Sequence, residues 1–471
     1  MLSVISPAAC QGQGLPSAVN SPWVAPPKEL MLQERFSREA AESTVEAGHI
    51  YSLAELVDLA ESANPETRSA WESAKVRAAD LRIAKSELYP ALTAIMLGES
   101  DRHRLLLNTT YARQTLGLYQ PTLDVSYLLL DFGGRAGRIE EARQRLLQAD
   151  YGFNEKHLAV FFDTAQLYYK LLDALGQRQA AELDVQDAAT AQMSIEAQMK
   201  NGLATLPNAL QARAATAQAE YNLSVVDGKV DVACGALLSV VGSSPLHPLE
   251  VEGLNSLHIP ERMDDDAHAA IERGLAQRPE LGAQLSKEVE ARARIKETRS
   301  AYFPSLMFSG EGGEGRAYAQ QDLLPGVYFG PAEVWNVQLS LRWNLFDGFA
   351  RGGRVAEAQA DERRAHAETE HVRDGVELEV WTAYVDARTA FKQRDAAAAS
   401  LRAAEDSYDA TVKSSEMGLS TTVDLVAAQR NLAQSRSDDV TAKVNVLVQL
   451  ANLAYRTGDL LQRQASGKVG P

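Results

Sequence analysis

The clearest periodic signal lies at 335–345, where Trp335, Val337, Leu339, Leu341, Trp343 and Leu345 alternate with Asn336, Gln338, Ser340, Arg342 and Asn344. A period of two sustained over that stretch predicts a β-strand with one wholly apolar face. Leu123, Val125, Tyr127 and Leu129 alternate with Thr122, Asp124 and Ser126 in the same way, with Leu128 out of pattern. Shorter and less regular strands are predicted before each, at about Ala91 to Glu99 and Ser305 to Gly310. The acidic glycine-rich run Gly310-Glu311-Gly312-Gly313-Glu314-Gly315 reads as a flexible, solvated loop between strands. Soluble sheets also alternate, but tryptophans at both ends of the apolar face and a strand near the ~9–11 residues that cross a bilayer favour lipid contact.

After each strand pair the period changes. Ala136 to Lys200 and Val355 to Glu416 contain no proline, and a helix of such length would reach about 100 Å. Helices that long must pack side by side. Val440, Val444, Leu447, Ala451 and Ala454 recur at alternating spacings of four and three, and Leu210, Ala214, Ala217 and Tyr221 do likewise, the signature of a helix–helix seam.

The chain also repeats itself. Asn64-Pro65-Glu66 recurs as Arg278-Pro279-Glu280 and Leu88-Tyr89-Pro90 as Tyr302-Phe303-Pro304, both displaced by 214 positions. Asp131 in LLLDFGGR matches Asp347 in NLFDGFARGGR, and Gly202-Leu203 matches Gly418-Leu419, both displaced by 216. Four landmarks in one order predict a duplicated unit of helix, strand, strand, very long helix, turn and helix. The chain divides accordingly into a signal remnant and extended segment (1–50), a first repeat (51–242), a linker (243–264), a second repeat (265–460) and a flexible tail (461–471).

Composition narrows the function. Of 471 residues, 63 are acidic and 47 basic, a formal charge of −16 that disfavours nucleic acid as partner. Two cysteines cannot build a disulfide framework or a four-cysteine metal site. Cys234 reads as a small buried residue in an Ala/Val/Leu-rich helix. Cys10 follows Ala8-Ala9 in what looks like the end of a secretory signal, and reads either as an acylated lipid anchor or as a free thiol. The Pro-rich stretch Gln11 to Pro27 is predicted to run extended. The eight histidines show no metal-ligand spacing, and GxSxG and Walker sequences are missing. No enzyme, metal or cofactor is expected.

The duplicated strand-then-helix order, the proline before each strand pair (Pro90, Pro304), the LFDGG-like strand exits and the Gly-Leu turns together resemble the TolC-like outer-membrane efflux proteins, over roughly Tyr51 to Leu460. The resemblance implies an α+β membrane protein: a long α-helical coiled-coil barrel continuous with a transmembrane β-barrel, four strands per protomer and twelve in a homotrimer. It places the chain in the outer membrane of a Gram-negative bacterium, in contact with its lipid and with a long periplasmic portion, and makes the glycine-rich run an extracellular loop. It also implies a periplasmic adaptor protein and an inner-membrane transporter as partners, with Gly202, Leu203, Gly418 and Leu419 as adaptor contacts at the helical tips. Four strands alone would leave two open edges in lipid, which agrees with assembly.

Asp424 resembles the aspartate ring that closes the tip in this family, where three carboxylates on a shared axis would bind cations and act as a periplasmic gate. Thr421-x-x-Asp424 is equally a capping-box spacing at a helix start. Asn208 stands at the matching place in the first repeat, and Ala427 and Ser420 replace an aspartate and an arginine of the family's archetype, so that archetype's gate network is not reproduced. The leading expectation is a passive exit duct of a tripartite efflux pump for small molecules. The exit duct of a type I protein-secretion system shares the architecture, and a soluble or peripheral coiled-coil scaffold is the alternative of another class.

Overall fold

The computed structural model describes residues 45–460, apart from 47, 108–109, 264–265, 322–323 and 418. Cys10, Gly418 and the tail 461–471 therefore lie outside the described residues. A short strand β1 (Ile50–Tyr51) precedes helices α1 (Leu53–Ala63) and α2 (Pro65–Ser86), strands β2 (Ala91–Leu107) and β3 (Thr110–Leu130), and helices α3 (Gly134–Lys200) and α4 (Leu206–Val240). After β4 (Glu250–Val251) the order returns as α5 (Ala267–Gln277), α6 (Pro279–Ser300), β5 (Ser305–Gln321), β6 (Leu324–Arg342), α7 (Ala350–Glu416) and α8 (Thr422–Thr457). The two runs match nearly residue for residue: α1 and α5 have 11 residues each, α2 and α6 have 22, α3 and α7 have 67.

Local rules set the element ends. Ser52 and Glu55 form a capping box at α1, and Asn64 accepts from the Glu66 N–H at the start of α2. Pro65 and Pro279 occupy the first helical positions of α2 and α6, where a missing N–H costs nothing.

One antiparallel sheet takes strands from both halves in the order β2-β3-β5-β6. The strands run 17 to 21 residues, longer than the sequence pattern predicts and longer than a bilayer requires. Gly310 to Gly315 is not a loop, because these residues lie inside β5, paired to β3 on one side and β6 on the other. Two of its glycines answer to a close approach: a Cβ on Gly313 would sit 2.2 Å from the Pro121 carbonyl oxygen, and one on Gly315 2.2 Å from that of Tyr119. Leu128 keeps the register, opposite Met307 on the face away from Tyr127, and β3 bulges only after it, between Leu128 and Leu130. The alternation at 335–345 also outruns its strand, since β6 ends at Arg342.

In the helical part, α3 packs on α2, α4, α6 and α8, and α7 on α5, α6 and α8. One apolar cluster gathers Leu56 and Ala60 of α1, Tyr168 and Leu172 of α3 and Leu237 and Leu238 of α4. A second joins Ala270 of α5, Val376 and Val380 of α7 and Leu453 of α8. Cys234 is half-buried at the border of the first. The predicted seam is only half realised: Val444 and Leu447 are buried on α8, whereas Leu210 and Tyr221 on α4 are 53% and 65% exposed.

Candidate functional site

Pairing register decides what the sheet presents. Directly opposed residues share a face, so Leu341 and Leu306, Leu339 and Phe308, Val337 and Gly310, and Trp335 and Gly312 lie on one side. Tyr127, Val125 and Leu123 of β3 continue those rows, and Leu92 and Ala94 of β2 complete two of them. The opposite face carries Asn336, Gln338, Ser340, Glu311, Ser309, Asp124 and Thr122. The apolar side is bare, with Trp335 82%, Leu339 63% and Leu341 65% exposed. The sheet is thus apolar along these rows on one face, mixed on the other, where Ile95 and Met307 join the polar residues, and unpaired along β2 and β6 among the described residues.

The sheet joins the helices through two equivalent clamps. Asp131 Oδ2 accepts from the Arg135 N–H, and Asp347 Oδ2 accepts from the Arg351 N–H at 3.0 Å. Arg135 Nη1 donates to the carbonyls of Glu87 at 2.9 Å and Leu128 at 2.8 Å, under the Tyr127 ring. Arg351 donates to the carbonyls of Ala301 at 3.4 Å and Leu345 at 3.0 Å, beside Tyr302. Phe132 and Phe349 turn the chain with φ of 52° and 68°. The arginines were missed in the sequence, although Asp-x-x-x-Arg recurs at both strand exits.

At the far end α3 closes in a Schellman motif: Gly202 has φ +77°, its N–H donates to the Met199 carbonyl at 3.0 Å, and the Leu203 N–H to that of Gln198 at 2.8 Å. The Leu419 N–H reaches the Ser414 carbonyl at 2.8 Å, the corresponding bond at the end of α7. Leu203 and Leu419 project 79% and 77% exposed. Asp424 forms the capping box with Thr421: its Oδ2 accepts from the Thr421 N–H at 3.0 Å and hydroxyl at 2.6 Å. These bonds hold its carboxyl below the usual range. Asn208, its counterpart, instead donates to the Thr422 hydroxyl at 2.9 Å and so ties the two turns together.

Two ionic joints along the helices lay beyond sequence reading. Arg436 Nη1 of α8 donates to Asp184 Oδ1 at 3.2 Å and Asp187 Oδ2 at 2.7 Å on α3. Burial pushes the Asp184 carboxyl up to about 6 against the pull of that arginine. Nearer the sheet, burial and the neighbouring Glu297 carboxylate push Glu141 up to about 7, while Arg145 opposes the shift. Glu141 Oε2 accepts from Arg145 Nη2 at 3.2 Å, whereas Oε1 is buried without a hydrogen-bond partner.

The family model of outer membrane efflux proteins matches residues 56–243 and 270–459. The chain belongs to this family. It is 26% identical to Protein CyaE of Bordetella pertussis over 99% of this chain and 90% of that protein. It is 24% identical to the cation efflux system protein CusC of Escherichia coli over 70% of each. Its fold is that of the CmeC outer membrane channel of Campylobacter jejuni, with a TM-score of 0.71 at 19% identity, covering 89% of this chain and 91% of that one. This efflux protein resides in the outer membrane with a long helical portion in the periplasm. Its matches are channels, not enzymes. Among the described residues no helix is long and apolar enough to cross a membrane.

Proposed function

We propose that three copies of this chain form a passive exit duct of a tripartite pump, carrying small molecules from a periplasmic adaptor and an inner-membrane transporter to the outside. The observation that carries this reading is the four-stranded sheet with a bare apolar face and two open edges, continuous with helices of 67 residues, about 100 Å long. Closing the edges of three such sheets gives twelve strands, an apolar belt outside and the polar face inside. The matching order of elements in the two halves supports an internal duplication.

Under this reading Gly202, Leu203, Gly418 and Leu419 contact the adaptor. A Schellman turn holding an exposed leucine supports the role for the first pair. Cys10 is the lipid anchor and Asp424 the periplasmic gate, its carboxylate held ionised by Thr421.

The test is to produce the chain behind a functional export signal, fractionate membranes on a density gradient, weigh the detergent-solubilised species and record conductance in planar bilayers. A trimer in the outer-membrane fraction that conducts ions is expected; a soluble monomer would sink the duct. Asp424→Ala is expected to raise single-channel conductance or alter cation preference. Unchanged conductance and selectivity would leave Asp424 the capping role alone.

A further inference from the structure

We propose that the sheet face turned to the duct interior binds small organic cations with an apolar body, in a hollow near the strand ends remote from the helices, where Glu99 and Asp101 hold the charge and Tyr328 the body. The inference rests on the duct reading and adds to it a class of cargo and the place that receives it.

Register builds the hollow from two rows that cross all four strands. Glu99 of β2 stands opposite Leu118 of β3, Leu118 opposite Ala317 of β5, and Ala317 opposite Gly330 of β6. Asp101, Leu116, Ala319 and Tyr328 form the next row in the same way. Each of these residues lies an even number of positions along its strand from Thr93, Asp124, Glu311 or Asn336, with no register shift between, so both rows belong to the face away from the apolar band. Small side chains on β5 and at Gly330 lower the floor between the two leucines and Tyr328, leaving a hollow of about 550 Å³.

Charge is sorted between the two faces. Arg102, Arg104, Arg113 and Arg316 all fall on the other face by the same parity. On the face of the hollow the described basic residues of the strands are His103 and Arg342. Arg342 ends β6 beside the helices, roughly 45 Å along the strand from Tyr328. His103 Nδ1 meets Asp101 Oδ2 at 3.0 Å, whereas Glu99 pairs with no basic side chain among the described residues. The two carboxylates therefore keep a net negative charge even when His103 is protonated.

These groups select their ligand. Leu116, 39% exposed, and Tyr328, 55% exposed, offer apolar and aromatic surface but not the set of oxygens that replaces the water shell of a divalent metal ion. An anion is repelled by Glu99 and Asp101, and a neutral apolar molecule leaves both carboxylates unused. An ammonium or phosphonium carrying aromatic or aliphatic groups satisfies both parts of the hollow. Its charge sits beside the carboxylates, and its body lies over Ala317 and Ala319 against the Tyr328 ring, whose face also attracts cations. A hollow of this size is in the range that takes up a drug-sized molecule.

Planar-bilayer recordings of the full chain test this, with tetraphenylphosphonium added on the side remote from the helices. It is expected to block the current, whereas tetramethylammonium, which has the charge without the apolar body, is expected not to block at the same concentration. Glu99→Gln combined with Asp101→Asn is expected to raise the half-blocking concentration about tenfold, Tyr328→Ala about threefold, and Asp424→Ala not at all. If the double variant fails to assemble, Glu99→Gln alone is read instead, with an expected rise of about threefold. A parent channel that tetraphenylphosphonium does not block, a block that survives the Glu99 and Tyr328 substitutions or is lost in Asp424→Ala, or an equal block by tetramethylammonium would overturn the site while leaving the duct intact. A parent that forms no conducting trimer would overturn the duct reading itself.

Discussion

Glu141→Gln isolates the cost of burying a carboxylate where α3 packs on α6. The side chain is 9% exposed, and its carboxyl is raised from 4.5 to about 7 by burial and by Glu297. An acid whose folded pKa is raised binds more protons folded than unfolded, so stability falls as pH climbs from 4.5 to 7 and the full penalty stands above that. At 1.36 kcal/mol per unit the shift corresponds to about 3.4 kcal/mol. Water reaches this joint past Arg145, 43% exposed, and by partly solvating the carboxylate and screening its repulsion from Glu297 it reduces the expected penalty to about 1.5 kcal/mol.

Glutamine keeps the volume, removes the charge and offers a donor to Glu297. The variant is therefore expected to be about 1.5 kcal/mol more stable than the parent at pH 8 and equal to it near pH 4.5. An unfolding entropy of about 2.1 cal/mol/K per residue makes this a rise in melting temperature of about 1.5 °C. Differential scanning calorimetry of the detergent-solubilised protein at the two pH values reads it. A variant that melts below the parent at pH 8, or a difference that ignores pH, would refute the reasoning.

Other perturbations probe other joints. Arg436→Ala strands Asp184 and Asp187 without their counter-ion and is expected to cost about 2–3 kcal/mol at pH 8, less at pH 5 where Asp184 is protonated, measured by the same melts. Gly313→Ala drives a methyl to 2.2 Å from the Pro121 carbonyl oxygen; a loss of about 1–3 kcal/mol should show as fewer folded bands on unheated SDS gels. Thr421→Ala removes one half of the α8 capping box and is expected to cost about 1 kcal/mol at neutral pH. The share due to the lowered Asp424 pKa is present above its unfolded value near 3.8 and fades as pH falls through the folded one, so the Thr421→Ala difference should narrow in acid.

Within single elements the sequence was a sound guide, because periodicity and capping depend on neighbours only a few residues away. The face of β6, the end of α3 at Gly202 and the Thr421–Asp424 cap all follow from such local rules. Reading failed where the cause was distant. The glycine run of β5 resembles a solvated loop until the Pro121 and Tyr119 carbonyls, nearly 200 positions away, are brought against it. Arg436 finds Asp184 across 252 positions, and Glu141 is perturbed by Glu297 of the other half.

The amino-acid sequence by itself determined the long helices, the recurring order of elements and the apolar face of β6, since each is written in a period, a repeated landmark or a cap. Tertiary structure alone decided the register that aligns four strands into one apolar band and the ionic joint between α3 and α8. Those depend on which residues meet across a packed joint, and the relative rotation and stagger of two long helices is set by every contact along them together.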